Sequence, residues 1–298
     1  MPCYGPLTAY YPPDDSPDKR LVFDKRKSAT GVAIKIPCGK CIGCKLEHSR
    51  QWALRCMHEK KQHSASSFLT LTYNDDNLPP GGTLVKKDLQ LFMKRLRKYL
   101  GPGVRFFACG EYGEKTSRPH YHVLLLSHDF GDRRPVNGYY GSNKSGDRGF
   151  HLYRSAVLSN LWTAGNSVIG DVTFDSCAYV ARYCTKKITG PKADDHYRGR
   201  KPEFLVMSRR PGIGTNYFNK FRGEMYTHDN VIVNGVPSSL PRFYDNKYAS
   251  LNDTCEARLA VLKIARRRKI DRTDAGTRRL RTRELVTIAK LSLKGRIL

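Results

Sequence analysis

Pro119-His120-Tyr121-His122-Val123-Leu124-Leu125-Leu126 reads as a β-strand in the middle of a sheet. Val123 to Leu126 is apolar at consecutive positions, the pattern of a strand covered on both faces, and Pro119 introduces it. Side chains alternate across a strand, so His120 and His122 share one face and Tyr121 takes the other. Further along, Tyr179-Val180-Ala181-Arg182-Tyr183-Cys184-Thr185-Lys186 spaces two tyrosines four apart, which a helix turns to one side.

Working outward, Ser67-Phe68-Leu69-Thr70-Leu71-Thr72-Tyr73 alternates in the manner of a strand and ends in a turn at Asn74-Asp75-Asp76-Asn77. Val104 to Cys109 reads as a second strand, Pro119 to Leu126 as the third and Val168 to Phe174 as the fourth. Helical spacing runs from Lys45 to about His63 through Leu46, Trp52, Ala53, Cys56 and Met57. A second helix spans Lys87 to Leu100 and stops at Gly101-Pro102-Gly103. Further helices are expected from Arg154 to Trp162 and from Ser176 to about Ile188, the latter ended by Gly190-Pro191. Strand, helix, strand, strand, helix, strand predicts an α+β fold: a central antiparallel sheet of ferredoxin-like or RRM-like split β-α-β topology, flanked by helices.

The remainder divides by composition. Residues 1–65 form an N-terminal arm with a cysteine cluster and a helix, and 66–190 the core. Residues 191–250 are an extension with basic loops and a hairpin around Val231 to Val236, and 251–298 a basic helical tail. From Arg258 to Leu298 there are 14 Lys and Arg against 3 Asp and Glu. Ser127 to Gly149, polar and rich in glycine, is expected to be a loop.

At 298 residues the chain can bury a substantial core. Its formal charge of +26 and pI near 9.8 call for a polyanionic partner, most simply nucleic acid. A membrane surface is the competing partner, but no apolar run is long enough to span a bilayer, and Met1-Pro2-Cys3-Tyr4 does not open an export signal. The expectation is a cytosolic chain with no membrane association.

Nine cysteines are present, and Cys38, Cys41 and Cys44 fall within seven residues. In a chain without an export signal, that spacing favours metal over disulfides. Tetrahedral Zn²⁺ wants a fourth ligand, for which Cys3 is the first choice, with Cys56 or His58 as alternatives; an iron-sulfur cluster or plain reduced thiols remain open. A structural Zn²⁺ would pin an arm that has little core of its own.

In an antiparallel pair joined by residues 112–119, Glu111 can converge with His120 and His122 into an open-sided divalent cation site. The carboxylate suits Mg²⁺, the imidazoles tilt toward Mn²⁺, and Zn²⁺ fits the same ligands. Glu114 is a reserve ligand, and ordinary strand histidines are the alternative to any metal. Tyr179, Tyr183 and Lys186 form one helical stripe. A phenol attacks phosphorus only as it loses its proton, which a nearby ammonium and a cation-bound phosphate both favour. Core packing of Tyr179 and a solvated Lys186 are the plainer alternative.

These residues together carry a family signature. Phe68-Leu-Thr-Leu-Thr-Tyr73, Gly110-Glu-Tyr-Gly-Glu114 with Arg118-Pro-His-Tyr-His122, and Tyr179-Val-Ala-Arg-Tyr-Cys-Thr-Lys-Lys187 resemble the three ordered motifs of HUH endonucleases, the rolling-circle replication initiators. Pro37-Cys-Gly-Lys-Cys-Ile-Gly-Cys44, Arg50-Gln-Trp-Ala-Leu-Arg-Cys-Met-His58 and Met207-Ser-Arg-Arg-Pro-Gly-Ile-Gly214 are similar to the initiators of gokushovirus-type microviruses, small single-stranded DNA phages. The resemblance covers roughly residues 36–220.

It implies an endonuclease core that nicks single-stranded origin DNA with Mg²⁺ or Mn²⁺ on Glu111, His120 and His122. Tyr179 and Tyr183 would be the nucleophiles, with Tyr183 favoured if only one acts, and Lys186 would assist. A 5′-phosphotyrosine and a free 3′-hydroxyl would result, the latter extended by a host DNA polymerase in the bacterial cytoplasm. No Gly-x-x-x-x-Gly-Lys-Ser/Thr loop is present, so a host helicase is expected to unwind. Arg198, Arg200, Lys201, Arg209 and Arg210 are expected to hold nucleic-acid phosphates. The competing function is a non-catalytic, zinc-containing basic protein that binds or packages nucleic acid.

Overall fold

A computed structural model of the chain describes residues 3–18, 20–113, 116–141, 150–186, 188, 191–268 and 276–293. In chain order the elements are β1 (Leu7–Ala9), β2 (Ile34–Ile36), α1 (Ile42–Lys60), β3 (Ser67–Tyr73), α2 (Lys86–Leu100), β4 (Phe106–Tyr112), β5 (Pro119–Leu125), β6 (Arg134–Gly141), β7 (Phe150–Arg154) and α3 (Ala156–Leu161). There follow β8 (Gly165–Gly170), α4 (Phe174–Lys186), α5 (Lys192–Tyr197), β9 (Phe204–Met207), α6 (Thr215–His228), β10 (Val231–Val233), β11 (Val236–Ser238), α7 (Arg242–Ala249), α8 (Asp253–Arg268) and α9 (Thr277–Leu293). Two compact units result, Ser49–Leu259 and Met1–His48 with Ala260–Ile297.

Within Ser49–Leu259, seven strands form an antiparallel sheet in the order β6-β7-β8-β3-β5-β4-β9. The inner four, β8-β3-β5-β4, with α2 between β3 and β4 and α3 between β5 and β8, are the split β-α-β plan expected from the sequence. Alternation decides what each face buries. Leu69, Leu71 and Tyr73 of β3, Ala108 of β4, and Tyr121, Val123 and Leu125 of β5 meet Leu89, Phe92, Met93 and Leu96 of α2 and Leu158 of α3. Phe107, Cys109 and Leu124 point the other way, onto Ala53 and Cys56 of α1 and Cys177, Val180 and Ala181 of α4. Each such Leu or Phe taken out of water contributes about 1.5–3 kcal/mol, so both faces of β5 are committed to burial.

Local signals set the ends. Gly101, at φ 80°, closes α2 and donates its N–H to the Arg97 carbonyl, a conformation open to glycine at little cost. Ser155 caps α3 by accepting from the Leu158 N–H. At the start of α4, the Ser176 N–H donates to Thr173 Oγ1 while the Thr173 N–H donates to Ser176 Oγ, a reciprocal cap that fixes the phase of the helix carrying the tyrosines.

Three expectations are corrected. The stretch expected to be a loop after Ser127 contains β6, which pairs with β7 across an irregularity between Pro135 and Tyr140. Pro135 and Gly138 masked it, because such residues are tolerated on a bulged edge strand. The strand expected over Val168 to Phe174 is β8, which starts earlier at Gly165 and ends at Gly170; Phe174 already opens α4. A seventh strand, β9, pairs with β4 and lies in the region expected to hold only basic loops and a hairpin.

In the other unit, the N-terminal arm contains the antiparallel pair β1–β2. No helix among the described residues is long and apolar enough to cross a membrane.

Candidate active site and metal centres

Register brings the carboxylate and imidazoles together. Glu111 of β4 pairs with His120 of β5, and Cys109 pairs with His122, so Glu111, His120 and His122 share the face covered by α4. Glu111 Oε1 lies 2.7 Å from His120 Nε2 and 2.6 Å from His122 Nε2, with Glu111 only 2 % exposed. Each ring is oriented from behind: His120 Nδ1 donates to the Arg118 carbonyl at 3.1 Å, and His122 Nδ1 meets Thr70 Oγ1 at 3.1 Å.

That arrangement fits a cation. A carbonyl can only accept, so the His120 proton sits on Nδ1, and a neutral ring then turns the lone pair of Nε2 toward a carboxylate oxygen. Two lone pairs at 2.7 Å need positive charge between them or on the ring. Making both rings cationic would set two charges 5.0 Å apart, and burial already holds His122 below its ordinary imidazole value despite Glu111. At Glu111 burial opposes ionisation, but the two imidazoles outweigh it and keep the carboxyl below its usual range. Glu111 Oε2 is buried with no hydrogen-bond partner among the described residues. The three ligand atoms lie within 4.8 Å of one another, so one divalent ion could satisfy all of them.

Tyr179 stands over this cluster. Its hydroxyl approaches Glu111 Oε1 at 3.4 Å, and its ring meets that of His122 edge to face with centroids 5.3 Å apart. Arg182, one turn along α4, sets its guanidinium 5.4 Å from the Tyr179 ring centroid. Tyr183 and Lys186 belong to α4, but their side chains lie outside the described residues, as does Glu114. Thr70 and Arg182 were missed from sequence. Arg182 was detectable, because residues three apart on a helix are neighbours; Thr70 was not, because cross-strand register had to be known.

The second centre lies in the other unit. Cys3, Cys38, Cys41 and Cys44 converge with their sulfurs within 4.8 Å, Cys38 Sγ to Cys44 Sγ at 4.0 Å and Cys41 Sγ to Cys3 Sγ at 3.9 Å. Disulfides need about 2 Å. Thiolates 2.3 Å from a tetrahedral Zn²⁺ stand about 3.8 Å apart, which these spacings match. Backbone N–H groups of Tyr4, Cys38, Cys41 and Cys44 donate to the sulfurs at 3.3–3.5 Å. Burial resists ionisation at Cys3, Cys41 and Cys44; at Cys41 the amides of Tyr4 and Cys44 overcome it and bring the thiol down to about 7, while Cys3 and Cys44 are pushed up. The alternative ligands are used elsewhere. Cys56 is buried under the large sheet, and His58 stacks on Tyr217 with its Nδ1 2.9 Å from the Tyr244 hydroxyl.

The basic residues fall in two places. Arg198 caps α5 in a left-handed conformation, Arg200 lays its guanidinium 4.5 Å from the Tyr112 ring centroid and reaches the Ser117 carbonyl, and Lys201 is tied through its backbone to Thr83 and Tyr112. Arg209 and Arg210 are exposed on the turn after β9. That turn is held from beneath by Glu59, which sequence reading did not single out. Its Oε1 accepts from Arg105 Nε at 2.5 Å and its Oε2 from the Gly214 N–H at 2.6 Å, while Arg105 and Arg55 donate to the Pro211 and Ile213 carbonyls.

Comparison with known proteins follows the same residues. The family model for replication-associated protein ORF2/G2P matches residues 66–188, the span that holds β3, the Glu111–His122 cluster and α4. The chain is similar to replication-associated protein VP4 of Bdellovibrio phage phiMH2K, 32 % identical over 259 residues that cover 83 % of this chain and 77 % of the relative. It is also similar to replication-associated protein ORF2 of Spiroplasma virus 4, 32 % identical over 72 % of this chain and 68 % of that one. Replication-associated protein ORF4 of Chlamydia phage 1 is 29 % identical over 71 % of this chain and 53 % of its own length. No solved structure matches. By these likenesses the chain belongs to the phage replication-associated proteins of the ORF2/G2P family.

Proposed function

We propose that this protein starts phage DNA replication as an HUH endonuclease, cutting one strand of its origin through a phosphotyrosine and later rejoining the ends. The observation that carries this is the Tyr179 hydroxyl 3.4 Å from the carboxylate oxygen that also meets His120 and His122. A nucleophile and a cation site on one buried face are what phosphoryl transfer to tyrosine requires.

Glu111, His120 and His122 would hold Mg²⁺ or Mn²⁺, which when bound polarises the scissile phosphate and offsets charge developing on its non-bridging oxygens. The phenol oxygen of Tyr179 attacks phosphorus in line as its proton departs, and the bond from phosphorus to O3′ breaks. Arg182 favours the anionic phenol by holding positive charge against the ring. Lys186, at the end of α4, supplies a proton to the leaving O3′. The 5′ end stays on tyrosine, and the free 3′-hydroxyl primes a host DNA polymerase behind a host helicase in the bacterial cytoplasm. Because the phosphotyrosine keeps the phosphodiester's energy, Tyr183 can cut the regenerated origin while the displaced 3′-hydroxyl attacks the first adduct and closes a circle.

Arg198, Arg200, Lys201, Arg209 and Arg210 would grip phosphates on the approaching strand. The four cysteines would hold a structural Zn²⁺. The test is incubation with a labelled single-stranded origin oligonucleotide and Mn²⁺, with covalent adducts read on a denaturing gel. Adduct should need the metal and vanish in Glu111→Ala and His122→Ala. A protein that binds the oligonucleotide yet forms no adduct with any origin strand would instead be a non-catalytic nucleic-acid binder.

A further inference from the structure

We infer that the four-cysteine centre does more than brace the arm: filled with metal, it fixes the basic helix α9 as a binding rail for the sugar-phosphate backbone of single-stranded nucleic acid. This rests on the metal reading of the cysteines and not on the nicking chemistry. Both features belong to the same compact unit. Only one face of α9 is partly buried, that of Leu280, Glu284, Thr287 and Leu291, spaced four, three and four apart as one helical stripe.

Thr287 on that stripe is the point of attachment. Its hydroxyl meets the Tyr4 hydroxyl at 2.8 Å, and the Tyr4 N–H donates to Cys41 Sγ at 3.3 Å. Tyr4 follows Cys3 directly, so one residue links two sulfurs of the centre to the helix. None of α9's residues is fully buried, and Leu285, Val286 and Ile288 are about half exposed. Such a helix has little apolar burial of its own to hold it in place, which makes its docking sensitive to the few contacts it has. Its outer surface exposes Arg278, Arg279, Arg281, Arg283 and Lys290, with Glu284 as the single acidic residue of the helix, paired to Arg281 at 2.7 Å. An array of guanidinium groups held at helical spacing matches the charge of a phosphate backbone, a contact that positions a strand without reading its sequence. Loss of the metal frees Cys3 and Cys41 from a common centre, and Tyr4 then ceases to be a fixed anchor for Thr287.

The experiment uses the full chain, its zinc content measured by atomic emission, in three forms: unaltered, Cys38→Ser with Cys41→Ser, and Tyr4→Phe with Thr287→Val. Each is titrated with a labelled oligo-dT strand across a salt series and digested briefly with trypsin. The cysteine variant should lose zinc, be cut within 277–293 at least tenfold faster, and flatten the slope of log K against log salt by about 3.5, the share of five basic side chains at about 0.7 each. The Tyr4→Phe, Thr287→Val form should keep its zinc and shift part of the way in both readouts. The inference is overturned if the unaltered chain holds no metal on these cysteines. It is equally overturned if either variant leaves the slope and the α9 cleavage rate where they were. Adduct formation on origin DNA, followed in parallel, reports on the nicking chemistry alone.

Discussion

Lowering the pH should unlatch α1 from α6 and α7 through one residue, His58. Its ring is 2 % exposed, stacked 3.9 Å from the Tyr217 centroid, and shares a hydrogen bond between Nδ1 and the Tyr244 hydroxyl over 2.9 Å. Burial, helped by the Lys61 ammonium, lowers its pKa from 6.5 to about 3. The folded state therefore excludes a proton that the unfolded chain takes up below about 6.5. The stability associated with neutral His58 is complete above that value and is lost as the pH falls toward 3, at about 1.4 kcal/mol per unit. The loss amounts to about 2 kcal/mol at pH 5 and about 3 kcal/mol at pH 4. Other carboxylates titrate in this range, so the assay is a difference: urea unfolding at pH 7.5, 6, 5 and 4 for the unaltered chain and for His58→Gln. Gln keeps an acceptor for Tyr244 without titrating. The gap between the two should close by about 2 kcal/mol from pH 7.5 to pH 5. Parallel profiles would refute the assignment of a buried, neutral His58.

Three further outcomes follow from particular contacts. Glu59→Ala leaves Arg105 without its buried partner and frees the Gly214 N–H, and should cost about 3–5 kcal/mol in urea unfolding; a loss under about 1 kcal/mol would show that the clamp beneath Arg209 and Arg210 is dispensable. Gly165→Ala would drive a Cβ to 2.3 Å from the Thr72 carbonyl oxygen and the Asn74 nitrogen at φ +155°, so the β3–β8 junction should lose about 3 kcal/mol, read in the same assay, and an unchanged midpoint would contradict the close approach. Arg182→Gln should slow adduct formation about tenfold with oligonucleotide binding retained, and Arg182→Lys should recover part of it; equal rates in all three would remove Arg182 from the chemistry.

Where neighbours in sequence are neighbours in space, the fold was legible. Ser67 to Tyr73 announced β3 by alternation, and the order of strands and helices around it gave the inner four strands of the sheet. Edge strands were not legible: Pro135 and Gly138 in β6 read as turn residues, and Phe204 to Met207 is too short to show a period. The convergence of Glu111, His120 and His122 was anticipated because a hairpin fixes register across a short turn. Thr70 behind His122 and Glu59 beneath Gly214 depend on partners 52 and 155 residues away, and no local pattern encodes contacts of that range. Cys3 differs instructively: tetrahedral chemistry asks for a fourth sulfur beside Cys38, Cys41 and Cys44, and the fold brings Cys3, 35 positions before Cys38, within 4.8 Å of the others.

The central claim is that a tyrosine of α4 becomes joined to DNA, and Arg182 makes it directly measurable, because trypsin cutting there separates Tyr179 from Tyr183 into different peptides. The origin adduct, digested with nuclease and trypsin, is analysed by mass spectrometry. The account predicts a nucleotide 5′-phosphate on the peptide ending at Arg182, on the one beginning at Tyr183, or on both, and none when both tyrosines are changed to Phe. A nucleotide on any other residue, or an adduct that survives the double change, would contradict it.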